Sequence, residues 1–165
     1  MSVRDLTAAV TTRIRDTLGP GERVLAGIAV DLEGTTAAAL DMGTSAAVGS
    51  AVGGHSVRVG SHAPELPGAK EAAGTDATPR MVLALTSTRL LLLKRRPFGI
   101  VGPVVLDVPL AEVTGLTMSK RSQKVVLATA RGTVPLELPR AWKFLPPVYA
   151  SVPALFEQAR RGDLQ

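Results

Sequence analysis

A chain of 165 residues, 45% hydrophobic and 20% charged, is long enough for one domain with a core of ordinary size. It has no cysteine, which excludes a disulfide framework, a thiolate metal site and a cysteine nucleophile. Aromatic residues make up only 3%, which weakens any function that needs base-stacking platforms.

The net charge of +5 is unevenly placed. Residues 1–79 carry 6 Lys/Arg against 9 Asp/Glu, residues 80–143 carry 11 against 3, and residues 144–165 carry 2 against 2. One segment therefore holds the basic character, which points to an anionic partner or to solubility alone. The opening MSVRDLTAAV lacks the long apolar run of a signal peptide, and no stretch reaches the roughly 18 apolar residues of a membrane span. The expectation is a cytoplasmic protein, with peripheral attachment to the inner face of the membrane as an option.

Residues 2–18 read as a helix. Ser2 is the expected N-cap, with Asp5 three residues on, and Val3, Leu6, Val10, Ile14 and Leu18 fall on one face. Gly19-Pro20-Gly21 ends it. The other face mixes Arg4, Arg13 and Arg15 with Asp5 and Asp16, which favours packing on the domain or on a second copy over lying in a membrane interface. Residues 22–32, ERVLAGIAVDL, read as a first strand. Residues 35–79 are rich in Ala, Gly, Ser, Thr and Pro and form an unusually long insertion. One short helix is expected within 37–54, and an edge strand at Val57 to Val59.

The most informative stretch is RMVLALTSTRLLLLKRR, from Arg80 to Arg96. Met81, Leu83 and Leu85 alternate with Val82, Ala84 and Thr86. Ser87-Thr88 is a short polar break, and Leu90 to Leu93 run without interruption. A helix would carry three hydroxyl residues in its middle, where they compete for the backbone. A hairpin of buried strands fits better. Pro97 to Pro103 reads as a loop, 104–108 and 112–118 as short strands, and 119–124 as a basic turn. Lys124 to Ala130 and Thr133 to Leu138 form a hairpin around Arg131-Gly132. After Pro146-Pro147, the spacing of Val148, Val152, Leu155, Phe156 and Ala159 predicts a helix that ends at Gly162, with Pro153 marking its first turn or a kink.

The segments LALTSTRLLLLKRR, VPLAEVTGLTM and VVLATARGTVPLEL resemble, in this order, the hairpins of bacterial pleckstrin-homology-like and GRAM-type domains. The resemblance covers roughly residues 80–161, with 22–32 as the first strand. It implies an α+β, mainly β fold: a seven-stranded antiparallel barrel closed by a C-terminal helix. Residues 1–165 would form a single domain, with an N-terminal helix at 1–21 and a barrel at 22–161 interrupted by the 35–79 insertion. It also implies a binding module for lipid headgroups or protein partners, with no catalysis and no cofactor.

In an antiparallel meander alternate connections share one end. That end would collect Arg80, Lys94, Arg95, Arg96, Lys120, Arg121, Lys124, Arg140 and Lys143, with Phe98 and Trp142 among the cations. The candidate ligand- or membrane-binding residues are accordingly Lys94, Arg95, Arg96, Phe98, Lys120, Arg121, Lys124, Arg140 and Lys143. The expected partner is a protein or an anionic lipid surface, attracted at about 1 kcal/mol per cation. Nucleic acid is a weaker candidate. The alternative is a self-associating module that uses the N-terminal helix and residues 37–54. The first strand carries only Arg23 and then Asp31 and Glu33, unlike the basic first strand of phosphoinositide-binding members.

Motifs for chemistry are lacking. His55, His62, Glu65 and Asp76 match no metal-ligand spacing. Gly49 to Gly54 lacks the Lys-Ser/Thr of a phosphate loop. Asp107, Glu112 and Glu137 read as isolated carboxylates, Glu137 facing outward from its strand, and none is placed for acid–base work. No metal site and no catalytic residue is assigned.

Overall fold

The structure, a computed structural model, describes residues 4–33, 80–119, 121–139 and 145–164. Within them lie a helix α1 (Thr7–Ile14), seven strands and a second helix α2 (Val148–Arg161). The strands are β1 (Val24–Leu32), β2 (Arg80–Thr86), β3 (Arg89–Arg95), β4 (Val101–Pro109), β5 (Val113–Ser119), β6 (Lys124–Thr129) and β7 (Gly132–Glu137). They form one antiparallel sheet in the order β4-β3-β2-β1-β7-β6-β5. The edges β4 and β5 are joined by a 3-10 turn at Leu110–Glu112 but are not hydrogen-bonded to each other, so the sheet is not closed by its backbone. The helix expected within 37–54 and the strand at 57–59 lie outside the described residues.

The sequence pattern explains why both faces of the sheet are covered. One core takes Ile28, Val30 and Leu32 of β1, Met81, Leu83 and Leu85 of β2, and Leu90 and Leu92 of β3, together with residues of β5, β6 and β7. Tyr149, Val152, Phe156 and Ala159 of α2 pack on it. The alternate residues Ala29, Val82, Ala84, Leu91 and Leu93 face the other way and are buried beneath Leu6, Val10 and Ile14 of the α1 segment. Successive strand residues point to opposite faces. Four consecutive leucines are therefore what a strand needs when each face has its own cover. Burying Leu91 and Leu93 under α1 contributes about 2 kcal/mol each.

Helix α1 begins later than the spacing predicts, at Thr7 rather than near Ser2. Asp5 Oδ1 accepts the Thr7 amide proton at 2.8 Å and fixes the start; Ser2 is outside the described residues. Gly27 lets the helix come close: a Cβ there would meet Val10 Cγ2 at 2.9 Å and the Leu6 carbonyl at 3.0 Å. The loop predicted at 97–103 shrinks to a tip, because β4 already begins at Val101, opposite Arg95. Pro153 sits past the first turn of α2, inside a continuous helical segment that ends at Gly162 in the left-handed conformation.

Strand β1 meets β7 only at its end, where Asp31 pairs with Glu137 and Leu32 with Leu136. Elsewhere its outer edge is satisfied by other elements. At Gly27 the amide donates to Thr7 Oγ1 (3.0 Å) and the carbonyl accepts from Leu6 N (3.0 Å). At Ala29 both groups bond to the buried Tyr149 hydroxyl, which accepts from the amide (2.9 Å) and donates to the carbonyl (3.0 Å). At Glu33 the amide returns to Pro135 O (3.2 Å). Each buried backbone group left unpaired costs about 1–3 kcal/mol. Tyr149→Phe is therefore expected to lower the unfolding free energy by about 2 kcal/mol in urea denaturation, although it removes only one oxygen. A loss below about 0.5 kcal/mol would show that the hydroxyl carries no such burden.

Candidate functional site

The register brings the expected cationic tips to one pole. Asp31 faces Arg80 across β1–β2, and Met81 faces Lys94 across β2–β3. Arg95 faces Val101 across β3–β4. On the other side Asp31 faces Glu137, Glu137 faces Lys124, and Lys124 faces Ser119. Lys94, Arg95, Arg96, Phe98, Arg121 and Lys124 thus share one end of the sheet. Lys120, Arg140 and Lys143 lie outside the described residues, as does Trp142.

The pole is not uniformly basic. The end of β1 delivers Asp31 and Glu33 to its centre, and β7 delivers Glu137. Arg95 Nη2 lies 3.7 Å from Asp31 Oδ1, and Lys124 Nζ lies 2.5 Å from Glu33 Oε1. Two of the five candidate cations among the described residues are therefore engaged by carboxylates. Glu137 points away from the core that takes Leu136 and Leu138, as predicted, but it is only partly exposed. Its Oε2 is buried, and its strand position lies between Asp31 and Lys124. Asp31 and Glu33 are evident as acids of the first strand, but strand parity from Arg80 onward does not place them at this pole.

What remains available is concentrated on the β3–β4 tip. Among the described residues Lys94, Arg96 and Arg121 form no ion pair. Pro97-Phe98-Gly99 turns the chain, closed by Arg96 N donating to Ile100 O at 2.9 Å. Phe98 is 89% exposed and Ile100 56% exposed. Phe98 also sits at φ 63°, a left-handed conformation that a non-glycine side chain adopts at a cost of about 1–2 kcal/mol. An aromatic ring is thus held out in solvent by a strained backbone, next to Arg96.

Thr86 and Arg89, which flank the Ser87-Thr88 break, belong to the opposite pole. The Thr86 hydroxyl donates to Glu22 Oε1 (2.6 Å) and accepts from the amides of Thr88 (3.2 Å) and Arg89 (3.0 Å), which locks the β2–β3 turn. The Arg89 guanidinium contacts Glu22 Oε1 (2.9 Å), Asp107 Oδ2 (2.6 Å) and the Thr17 carbonyl (2.6 Å). It ties β3 to β4 and to the chain after α1. Asp107 and Glu112 are therefore not isolated: Glu112 pairs with Arg131 at 3.3 Å. The sequence reading missed Glu22 as a partner, because nothing local links it to a residue 67 positions away.

Burial acts to raise the Glu22 carboxyl. Hydrogen bonds from Arg89, Thr86 and the Gly19 amide outweigh it and hold the group at about 2, against an ordinary 4.5. Its side chain is 5% exposed. Among the described residues no group of three or more His, Asp or Glu could hold a metal ion, and no helix is long and apolar enough to cross a membrane. The chain matches no protein-family model and no curated protein.

A carboxylate whose acidity is strengthened by folding stabilises the fold above its unfolded value and ceases to do so as pH falls through the folded one. The Glu22 contribution is thus complete above about 4.5 and lost as pH falls towards about 2. Glu22→Gln should lower stability at pH 7 by about 2 kcal/mol and flatten the stability profile between those limits. Thermal unfolding across pH 2–7 measures both effects; a variant profile parallel to that of the parent would rule out Glu22 as the group responsible.

Proposed function

We propose that this chain is a non-enzymatic, pleckstrin-homology-like binding module that docks on an anionic membrane surface through its β3–β4 tip. The seven antiparallel strands, the order of their hairpins and the C-terminal helix packed on their core support the fold assignment. In this reading α2 and the shared core stand in for the hydrogen bonds that β4 and β5 do not make. The observation that carries the docking assignment is Phe98, exposed at 89% and held at positive φ beside Arg96. A soluble fold gains nothing from an apolar ring placed in water on a strained backbone. A membrane interface accommodates such a ring, and unpaired cations beside it meet lipid phosphate.

The carboxylates at the centre of the pole argue for a surface rather than a headgroup pocket. A polyphosphorylated headgroup needs several convergent free cations, and Arg95 and Lys124 already face acids. Self-association through the N-terminal helix has less support, since Leu6, Val10 and Ile14 are spent on the chain's own sheet.

Co-sedimentation with phosphatidylcholine vesicles, with and without phosphatidylglycerol, tests the reading at low and high salt. Binding should require the anionic lipid and weaken as salt screens the attraction. Phe98→Gly should reduce binding about tenfold while leaving the melting temperature unchanged or higher, because glycine relieves the strain at φ 63°. Equal partitioning onto both vesicle types, or a Phe98→Gly variant that binds like the parent, would overturn the proposal.

A further inference from the structure

The carboxylates that interrupt the basic pole are placed where protonation would change its charge. Asp31 lies on the terminal stretch of β1, at the point where β1 touches both neighbours. Its side chain is 15% exposed, and its Oδ1 is shielded from solvent yet accepts no hydrogen bond. The nearest contact of that oxygen is the guanidinium of Arg95 at 3.7 Å, too long for a hydrogen bond. Among the described residues, Asp31 is faced by Arg80 from β2, Arg95 from β3 and Glu137 from β7, with Lys124 of β6 one strand further on. Asp31 and Asp5 of the α1 segment both act electrostatically on Tyr149 of α2. The Tyr149 hydroxyl is held by the Ala29 backbone and stays neutral, since burial pushes it well above its ordinary range.

Resting on the membrane-docking reading, we infer that acid strengthens the docking: protonation of Asp31 removes the negative charge facing Arg95 and frees that guanidinium to join Lys94 and Arg96 at the lipid surface. The chemistry is one proton taken up from solvent by one carboxylate, with no other bond changed. Three features favour uptake at a higher pH than an exposed aspartate would need. One carboxylate oxygen, Oδ1, has lost solvation without gaining a hydrogen bond, so the charged form is less well supported than in water. Glu137 opposes a second negative charge from the adjacent strand. Burial raises the Asp31 carboxyl, and although Arg95 and Arg80 pull it down, the net displacement from 3.8 is upward. A cation engaged by a carboxylate contributes little to surface attraction, and the same cation released contributes about as much as any other lysine or arginine near lipid.

Asp31→Asn fixes the neutral form at every pH. It should bind vesicles containing phosphatidylglycerol about fivefold more tightly than the parent at pH 7, and that advantage should shrink at pH 4.5. Asp31→Asn should also raise the melting temperature at pH 7, because a carboxylate whose folded value lies above its unfolded one opposes folding when charged. Glu112→Gln, the same charge change at the opposite pole, should leave vesicle binding unaltered at both pH values. Parent binding that does not rise on acidification, or an Asp31→Asn variant that binds like the parent at pH 7, overturns the inference while the docking reading stands. Parent protein that binds no anionic vesicle at either pH overturns both.

Discussion

The fold depends on how one strand edge is satisfied. β1 lies at the middle of the sheet, yet it pairs with β7 over only two residues. A buried strand edge without partners would cost several kcal/mol. Here the edge is completed in sequence by the start of α1 at Gly27, by a phenol from α2 at Ala29 and by β7 from Asp31 onward. Two helices from opposite ends of the chain are thereby fixed to the same strand. The separation of β1 from β7 also admits α2 to the core, with Tyr149 entering beside Ala29.

This arrangement sets the electrostatics of the molecule. Because β1 and β7 meet only at their ends, their terminal carboxylates are pressed together there. Asp31 and Glu137 become neighbours at the pole to which the cations of β3 and β6 are also delivered. The opposite pole is organised differently. There Arg89 gathers Glu22, Asp107 and a backbone carbonyl into a compact network in which each group has partners. One end of the sheet is thus tied shut by a satisfied arginine. The other combines an incompletely satisfied carboxylate with an exposed, strained aromatic tip.

Much of the architecture is legible from alternation and turn chemistry. The Leu90–Leu93 run, the Arg131-Gly132 turn and the helix ending at Gly162 appear where local rules place them, because each depends on residues close in sequence. The misplaced boundaries involve competition that local rules do not contain. Residues 101–103 join β4 rather than a loop because the Arg95–Val101 pair extends the ladder despite Pro103. The N-terminal helix starts at Thr7, after Leu6, whose amide donates to the Gly27 carbonyl of β1. The convergence of the described cations on one end of the sheet is legible from strand parity. Their partial neutralisation is not, since parity from Arg80 onward says nothing about what the end of β1 contributes.

The same geometry sets the β3–β4 tip apart from the rest of the pole. Cations on the central strands can be approached laterally by carboxylates of adjoining strands, as Arg95 is by Asp31 and Lys124 by Glu33. A residue beyond the last ladder pair has no such neighbour. Arg96 and Phe98 project past Arg95–Val101, the final pairing of β3 with β4. Position beyond the ladder therefore separates Arg96 and Phe98 from the carboxylates that engage Arg95 and Lys124, so the tip differs from the rest of the pole by where the sheet ends rather than by its share of the positive charge.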